Sequence, residues 1–262
     1  MKGFLAVVKD LPKIPKISIQ SIPGLPEIQA GNSLGKLIGE AVHKLNFAVQ
    51  EKDIFVLTHK IVAKAEGRVI QLDKVRPSSL ARSWAQELGK DPSLIEIILS
   101  ETRRVVRMDK GRLITETHQG LVCANAGVDV SNSAPGMATL LPKNADLSAQ
   151  KVRDHLKEVF GCNLAVIISD SFGRPWREGL VNLAIGVAGL MPLMDYRGEK
   201  DSAGRVLQAT AMGWADEIAS AAELVMGKTM RLPVAVVRGL NYEEGIARCS
   251  SFFRSSGQDL FR

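Results

Sequence analysis

Cysteine is nearly absent: Cys123, Cys162 and Cys249 are all that 262 residues contain, and no two form a C-x-x-C pair. An odd, scattered set argues against a disulfide framework and against structural zinc, and it suits a reducing, cytoplasmic compartment. Aromatic residues are scarce too, at 5%. With few stacking side chains, a net charge of only +6 and Lys and Arg spread among acids, the chain offers no nucleic-acid stripe or motif, though it suits small anionic ligands. Long apolar runs are missing as well: "LAIGVAGLMPLM", 183–194, is the longest and falls short of the ~20 residues that cross a bilayer, so no membrane partner is expected. The opening "MKGFLAVVKDLPKIPK" is broken by Lys9 and Asp10 and lacks a small-residue cleavage site, so no signal peptide is expected. There is no internal repeat.

Several familiar chemistries are missing with them. "MGKT" at 226–229 resembles the end of a phosphate-binding P-loop, but its first glycine would fall on Ala222 and the segment follows a helix. "IGVAG" at 185–189 lacks the third glycine and the acidic partner of a dinucleotide fingerprint and reads as a packing pair. No G-x-S-x-G occurs. His43 and His155 sit in amphipathic patterns, while His59 and His118 lie at strand edges.

What is there is an ordinary core-forming composition, 45% hydrophobic and 24% charged, enough for one large core or two that share an interface. Proline-punctuated 10–31 reads as extended chain. Helical spacing marks 32–45, 77–89, 91–106, 148–161 and 212–228, the fourth closed by Gly161. "DIFVLT" begins a strand that turns polar from Lys60 to Gly67, 111–132 reads as a hairpin, "LAVIIS" is a buried strand that stops on Asp170, and "LPVAVVRGL" is a last buried strand. Helices and strands mix without strict βαβ alternation, and the hairpin argues against a purely parallel sheet. The expected class is therefore α+β: a mixed or antiparallel sheet core with flanking helices, one domain over 1–262, and two interlocked lobes divided near 135–150.

The candidate chemistry is carboxylate chemistry. Asp129 follows "CANAGV" and Asp170 follows "AVIIS", each expected at the carboxyl end of an apolar strand and each succeeded within three residues by Asn or Ser. Either one alone would equally make an Asx turn or a helix cap. Brought side by side, they form a compact oxygen site for Mg²⁺ or Mn²⁺, a cation that takes its remaining ligands from water and phosphate. Lys60 and Lys64 are placed to reach β- or γ-phosphates from a strand end, and Arg174 and Arg177 follow Asp170 closely. Gly67, Gly127 and Gly173 permit close backbone approach to a ligand or merely serve turns. Asp201 and Arg205, in "EKDSAGR", read as a surface turn.

These blocks are similar to a known family. "KIVAKAEGR" (60–68), "VCANAGVDVSN" (122–132), "ISDSFGRPWREG" (168–179), "ADEIASAAELVMGK" (215–228) and "PVAVVRGLNYE" (233–243) together resemble the coenzyme F420-0:L-glutamate ligases, also called F420-0:γ-glutamyl ligases. The resemblance implies a GTP-dependent, amide-forming ligase that joins L-glutamate to F420-0 and then adds γ-linked glutamate through an acyl phosphate. It implies an α+β homodimer with Mg²⁺ or Mn²⁺ at two sites, potassium as a helper, and small-molecule substrates: GTP, L-glutamate and F420-0. It implies that Asp129, Asp170 and Ser171 ligate metal, that Asp129, Asp170 and Lys64 serve catalysis, and that Leu25, Pro26, Glu27, Ile28, His59, Lys60, Lys64 and Asn132 contact the nucleotide. Archaeal members carry an acidic ligand in the loop after the long helix, where this chain reads Gly227-Lys228-Thr229. The additional reductase-like domain of a mycobacterial fusion relative is not expected. Two alternatives stay open: a γ-glutamyl ligase for another acceptor such as folate, and a non-catalytic nucleotide- or metal-binding homologue.

Overall fold

The runs "IFVLT", "AVIIS" and "VAVVR" bury side chains at odd and even positions alike, which a strand can do only inside a sheet covered on both faces. A computed structural model, describing residues 15–131, 134–254 and 257–259, places all three in one such sheet. In chain order the elements are β1 (Ser18–Ser21), α1 (Leu34–Lys44), β2 (Ile54–Thr58), α2 (His59–Ala65), β3 (Val69–Gln71), α3 (Ser79–Leu88), α4 (Pro92–Ser100), β4 (Thr102–Asp109), β5 (Arg112–Thr117) and β6 (Val122–Ala124). There follow β7 (Met137–Thr139), α5 (Ala145–Phe160), β8 (Ala165–Arg174), β9 (Arg177–Ala188), β10 (Met194–Asp195), β11 (Ala211–Met212), α6 (Trp214–Met226) and β12 (Val234–Arg238).

The central sheet runs β1-β12-β2-β8-β9. The pair β2 and β8 is parallel, and the other neighbours are antiparallel, so the sheet is mixed and the class is α+β as expected. Strand periodicity sorts its side chains: Phe55, Leu57, Val166, Ile168, Val234 and Val236 face a core shared with α1 and α5. Ile54, Val56, Ala165, Ile167, Ala235 and Val237 face the opposite core, closed by Ile218, Ala222 and Met226 of α6. Fully burying each such side chain contributes about 1.5–3 kcal/mol, so the sheet is the rigid part on which a site can be built. At Gly186 of β9 the N-terminus of α5 comes so close that a Cβ would overlap the main chain of Ala145.

A third core lies between Ile70 and Leu140 in the chain, where α3 and α4 pack on Leu113 of β5 and on the turn containing Ala126. Beside it, β4, β5 and β6 form a three-stranded antiparallel sheet, and β3 pairs with β7. Helix ends follow local chemistry. Ser78 accepts from the Ala81 amide, Asp91 accepts from Ser93 and Leu94 with Pro92 in the first turn, and Asn144 accepts from Leu147. Gly89 and Gly161 close α3 and α5 in the left-handed conformation.

Three expectations need correction. The helix read over 91–106 ends at Ser100; Thr102, Val105 and Val106 are β-branched and continue as β4, where Arg104 pairs with Glu116 of β5. Lys60 to Gly67 is not a polar strand end: residues 60–65 belong to α2, which follows β2 without a break, and Glu66 and Gly67 turn the chain after it. The strand expected to stop on Asp170 runs on to Arg174, turns at Pro175 and Trp176, and returns as β9. Among the described residues, no helix is long and apolar enough to cross a membrane.

Candidate active site

The parallel pairing of β2 with β8 ends at Thr58 opposite Ser169. Carboxyl ends of parallel strands are where open sheets leave room for ligands. The next residues, His59 and Asp170, therefore come face to face: His59 Nε2 lies 3.2 Å from Asp170 Oδ1, close enough for an ion pair but not aligned as a hydrogen bond. His59 is buried, at 2% exposure, and neither of its ring nitrogens has a hydrogen-bond partner. Asp170 Oδ1 also accepts from the Ser171 amide at 2.7 Å.

Asp129 reaches the residue next to His59, Lys60. The turn Asn125–Gly127 aims the chain, and backbone bonds between Asp129 and Thr139 of 2.8 and 2.9 Å fix it. Its Oδ2 pairs with Lys60 Nζ at 2.7 Å and accepts from Ser131 Oγ, while its Oδ1 accepts from the Ser131 amide. Burial pushes its carboxyl upward in pKa, but the Lys60 ammonium and the Ser131 amide and hydroxyl outweigh that and hold it below the usual range. The two aspartates, 41 positions apart in sequence, thus meet consecutive residues at the start of one helix.

Next to Asp170, Ser171 heads a second polar group. Its Oγ donates to Asn182 Oδ1 at 2.7 Å, Asn182 Nδ2 donates to Glu223 Oε2 at 2.9 Å, and Lys228 Nζ donates to Ser171 Oγ. Asn182 on β9 and Glu223 on α6 escaped the sequence reading. The signal for Asn182 is a lone amide inside the apolar run "LVNLAIGVA", where a buried polar group must find partners.

Of the expected nucleotide contacts, Glu27, Ile28 and Lys64 line a cleft of about 330 Å³, together with Ala30, Gly67, Val69, Ala134 and Met137, whereas Leu25, Pro26, His59 and Lys60 are not in its lining. Lys60 and Lys64 lie one turn apart on α2, and Lys64 Nζ pairs with Glu27 Oε1 at 2.5 Å at the cleft wall. Leu25 packs on the main core, Pro26 is exposed and Ile28 is buried. Asn132 lies outside the described residues.

The remaining candidates sit elsewhere. Arg174 and Arg177 face each other at the tip of the β8–β9 hairpin, with Arg174 Nη2 on the Glu178 carbonyl, about 13 Å along the strand from Asp170. Asp201 and Arg205 form a self-contained turn with an ion pair of 3.4 Å. Gly127 approaches Leu141. Of the four histidines only His59 faces either aspartate: His118 bonds the Ser100 carbonyl, His43 lies tilted against Phe160, and His155 lies against Gly35.

The donor set decides what a cation would find here. Asp129, Asp170, Ser171 and Asn182 offer hard oxygen atoms, which suit Mg²⁺ or Mn²⁺. Burial and the Asp170 charge push the thiol of Cys123 up to about 12, and a soft sulfur suits neither of these hard cations. Among the described residues no three acidic, His or Cys side chains gather closely enough to hold an ion unaided.

Comparison with known proteins converges on one family. The model of F420-0:Gamma-glutamyl ligase matches residues 24–239. A Methanopyrus kandleri protein named Coenzyme F420:L-glutamate ligase is 41% identical over 254 residues, covering 95% of this chain and 99% of its own. Proteins of the same name from Methanothermobacter thermautotrophicus and Methanocaldococcus jannaschii are 45% identical over 224 residues and 40% identical over 259. They cover 85% and 98% of this chain, and 89% and 100% of their own lengths.

Proposed function

The chain belongs to the F420-0:gamma-glutamyl ligase family, a family of ligases, and from that premise we propose that it joins L-glutamate to coenzyme F420-0 at the expense of GTP. The observation that carries the reading is the convergence of Asp129 and Asp170 on the start of α2, beside a cleft walled by Lys64 and Glu27.

A carboxylate does not condense with an amine in water without activation. In the proposed route the acceptor's carboxylate oxygen takes the γ-phosphoryl group, and the glutamate amine then displaces phosphate from the acyl phosphate. Asp129, Asp170 and Ser171 would hold a divalent cation, Mg²⁺ or Mn²⁺, which when bound would supply charge neutralisation on the phosphate oxygens. Lys60 compensates Asp129, and His59 packs against Asp170, so both carboxylates stand preset before substrate arrives. Lys64, held by Glu27 at the cleft wall, is the point charge available to a phosphate that enters. The same reading includes potassium as an accessory cation, γ-linked extension of the product, a homodimeric assembly and a cytoplasmic location.

The test is product mass. Purified protein, GTP, Mn²⁺ or Mg²⁺, glutamate and F420-0 are expected to yield F420-0 extended by glutamyl residues, with GTP consumed in step. Extension of folate in place of F420-0 would move the acceptor assignment. GTP bound but never consumed would leave a non-catalytic binder.

A further inference from the structure

An ammonium group sits one residue from Asp170 without an obvious structural reason. After α6 ends at Met226, Gly227 (φ +59) turns the chain so that Lys228 returns toward β8. Its Nζ donates to Ser171 Oγ and lies 4.0 Å from Glu223 Oε1. The seat is built from the sheet and the helix together: Ser171 is held by Asn182, and Asn182 by Glu223. Exposed ion pairs contribute about 0–1 kcal/mol, so stability alone accounts poorly for a lysine placed here. An ammonium has three donors. One is used on Ser171, and the side chain is 59% exposed, so the group can reach an anion from outside.

We propose that Lys228 is a catalytic residue, whose ammonium contacts the transferred phosphoryl group and takes the seat beside Ser171 and Glu223 that a second divalent cation would otherwise occupy. The inference rests on the function proposed above. In the step it serves, an acceptor carboxylate oxygen bonds to the γ-phosphorus while the bond from that phosphorus to the β–γ bridging oxygen breaks. The electron pair of the broken bond stays on the nucleoside diphosphate. Lys228 keeps all its protons throughout and contributes charge alone. Lysine suits the task as a compact point charge that needs no bidentate geometry.

The seat and the charge are tested separately. Mn²⁺ bound per chain is counted by electron paramagnetic resonance with a non-hydrolysable GTP analogue, for the wild-type protein and for Lys228→Glu. One ion is expected in the wild type and a second in Lys228→Glu, where the ammonium gives way to another carboxylate. Two ions in the wild type, or no gain in Lys228→Glu, would overturn the seat. For the charge, Lys228→Met is expected to fold normally and lose about 100-fold in kcat with little change in KM for GTP, and Lys228→Arg to recover part of it. Wild-type turnover by Lys228→Met would overturn the catalytic role. The ion count uses neither acceptor nor glutamate, so it still decides the matter of the seat if F420-0 proves not to be the substrate.

Discussion

Replacing Gly127 by alanine probes how the fold delivers Asp129 to the site. Asn125, Ala126 and Gly127 adopt φ of +54, +53 and +71, three consecutive left-handed residues, and Asp129 follows two positions later. A Cβ on Gly127 would lie 2.5 Å from both Cγ and Cδ1 of Leu141, a residue 4% exposed in the main core. The left-handed conformation costs an L-residue about 1–2 kcal/mol. Forcing a methyl against a packed leucine adds about 1–3 kcal/mol. The sum is about 2–5 kcal/mol, which lowers the melting temperature of a chain this size by roughly 4–20 °C. Thermal denaturation followed by circular dichroism or calorimetry reads it directly. Leu141→Ala alone leaves a cavity and costs about 2–5 kcal/mol. Combined with Gly127→Ala it removes the overlap, so the pair is expected to cost clearly less than the sum of the two. Activity should fall with stability in Gly127→Ala, because the turn sets the Asp129–Lys60 contact. A melting temperature within about 1 °C of wild type, or full additivity in the pair, would refute the reasoning.

Three further outcomes are expected. Asp53 is fully buried and accepts from Arg238 at 2.6 and 2.7 Å and from the Gln50 amide at 2.9 Å, while Arg238 is part-exposed and also donates to the Ala48 carbonyl, so Asp53→Ala should lose about 1–3 kcal/mol in urea denaturation, partly recovered by adding Arg238→Met. The depressed pKa of Asp129 gives stability that is complete above the ordinary carboxylate value and lost as pH falls through the lower folded one; Lys60→Met should therefore differ in stability from wild type above about pH 5 and converge with it in stronger acid. Burial pushes the thiols of Cys123 and Cys249 well up, so a disulfide-exchange reagent should titrate Cys162 in the folded protein and the other two only after denaturation, whereas rapid reaction of all three would mean that the two cores around them open readily.

Much of the frame is legible in the sequence because its signals are local. Apolar runs bounded by turns mark β2, β8 and β12, and Ser78, Asp91, Gly89 and Gly161 mark helix ends by their own side-chain and backbone chemistry, whereas α5 starts three residues before the expected 148, at Ala145 behind the Asn144 cap. The α2 helix is hidden because it follows β2 with neither glycine nor proline between them, and Thr58 gives no side-chain cap bond. The extension of β8 and the start of β9 are hidden because Arg177 to Leu180 are exposed, so the hairpin tip lacks an apolar face. Asp129 and Asp170 can be singled out as a pair by their settings, but what each touches depends on register. His59 faces Asp170 only because Thr58 pairs with Ser169. Asn182 and Glu223 look ordinary where they stand, and they form a cluster with Lys228 only when β9 and α6 pack on each other.

Cation binding with nucleotide tests the central claim most directly. Mn²⁺ affinity in the presence of a non-hydrolysable GTP analogue is measured for the wild-type protein, Asp129→Asn, Asp170→Asn and the double variant, each checked for native melting. The account predicts that either single change weakens Mn²⁺ binding nearly as far as both together, because the two carboxylates grip one ion. Wild-type affinity in either single variant, or losses that simply add, would contradict it.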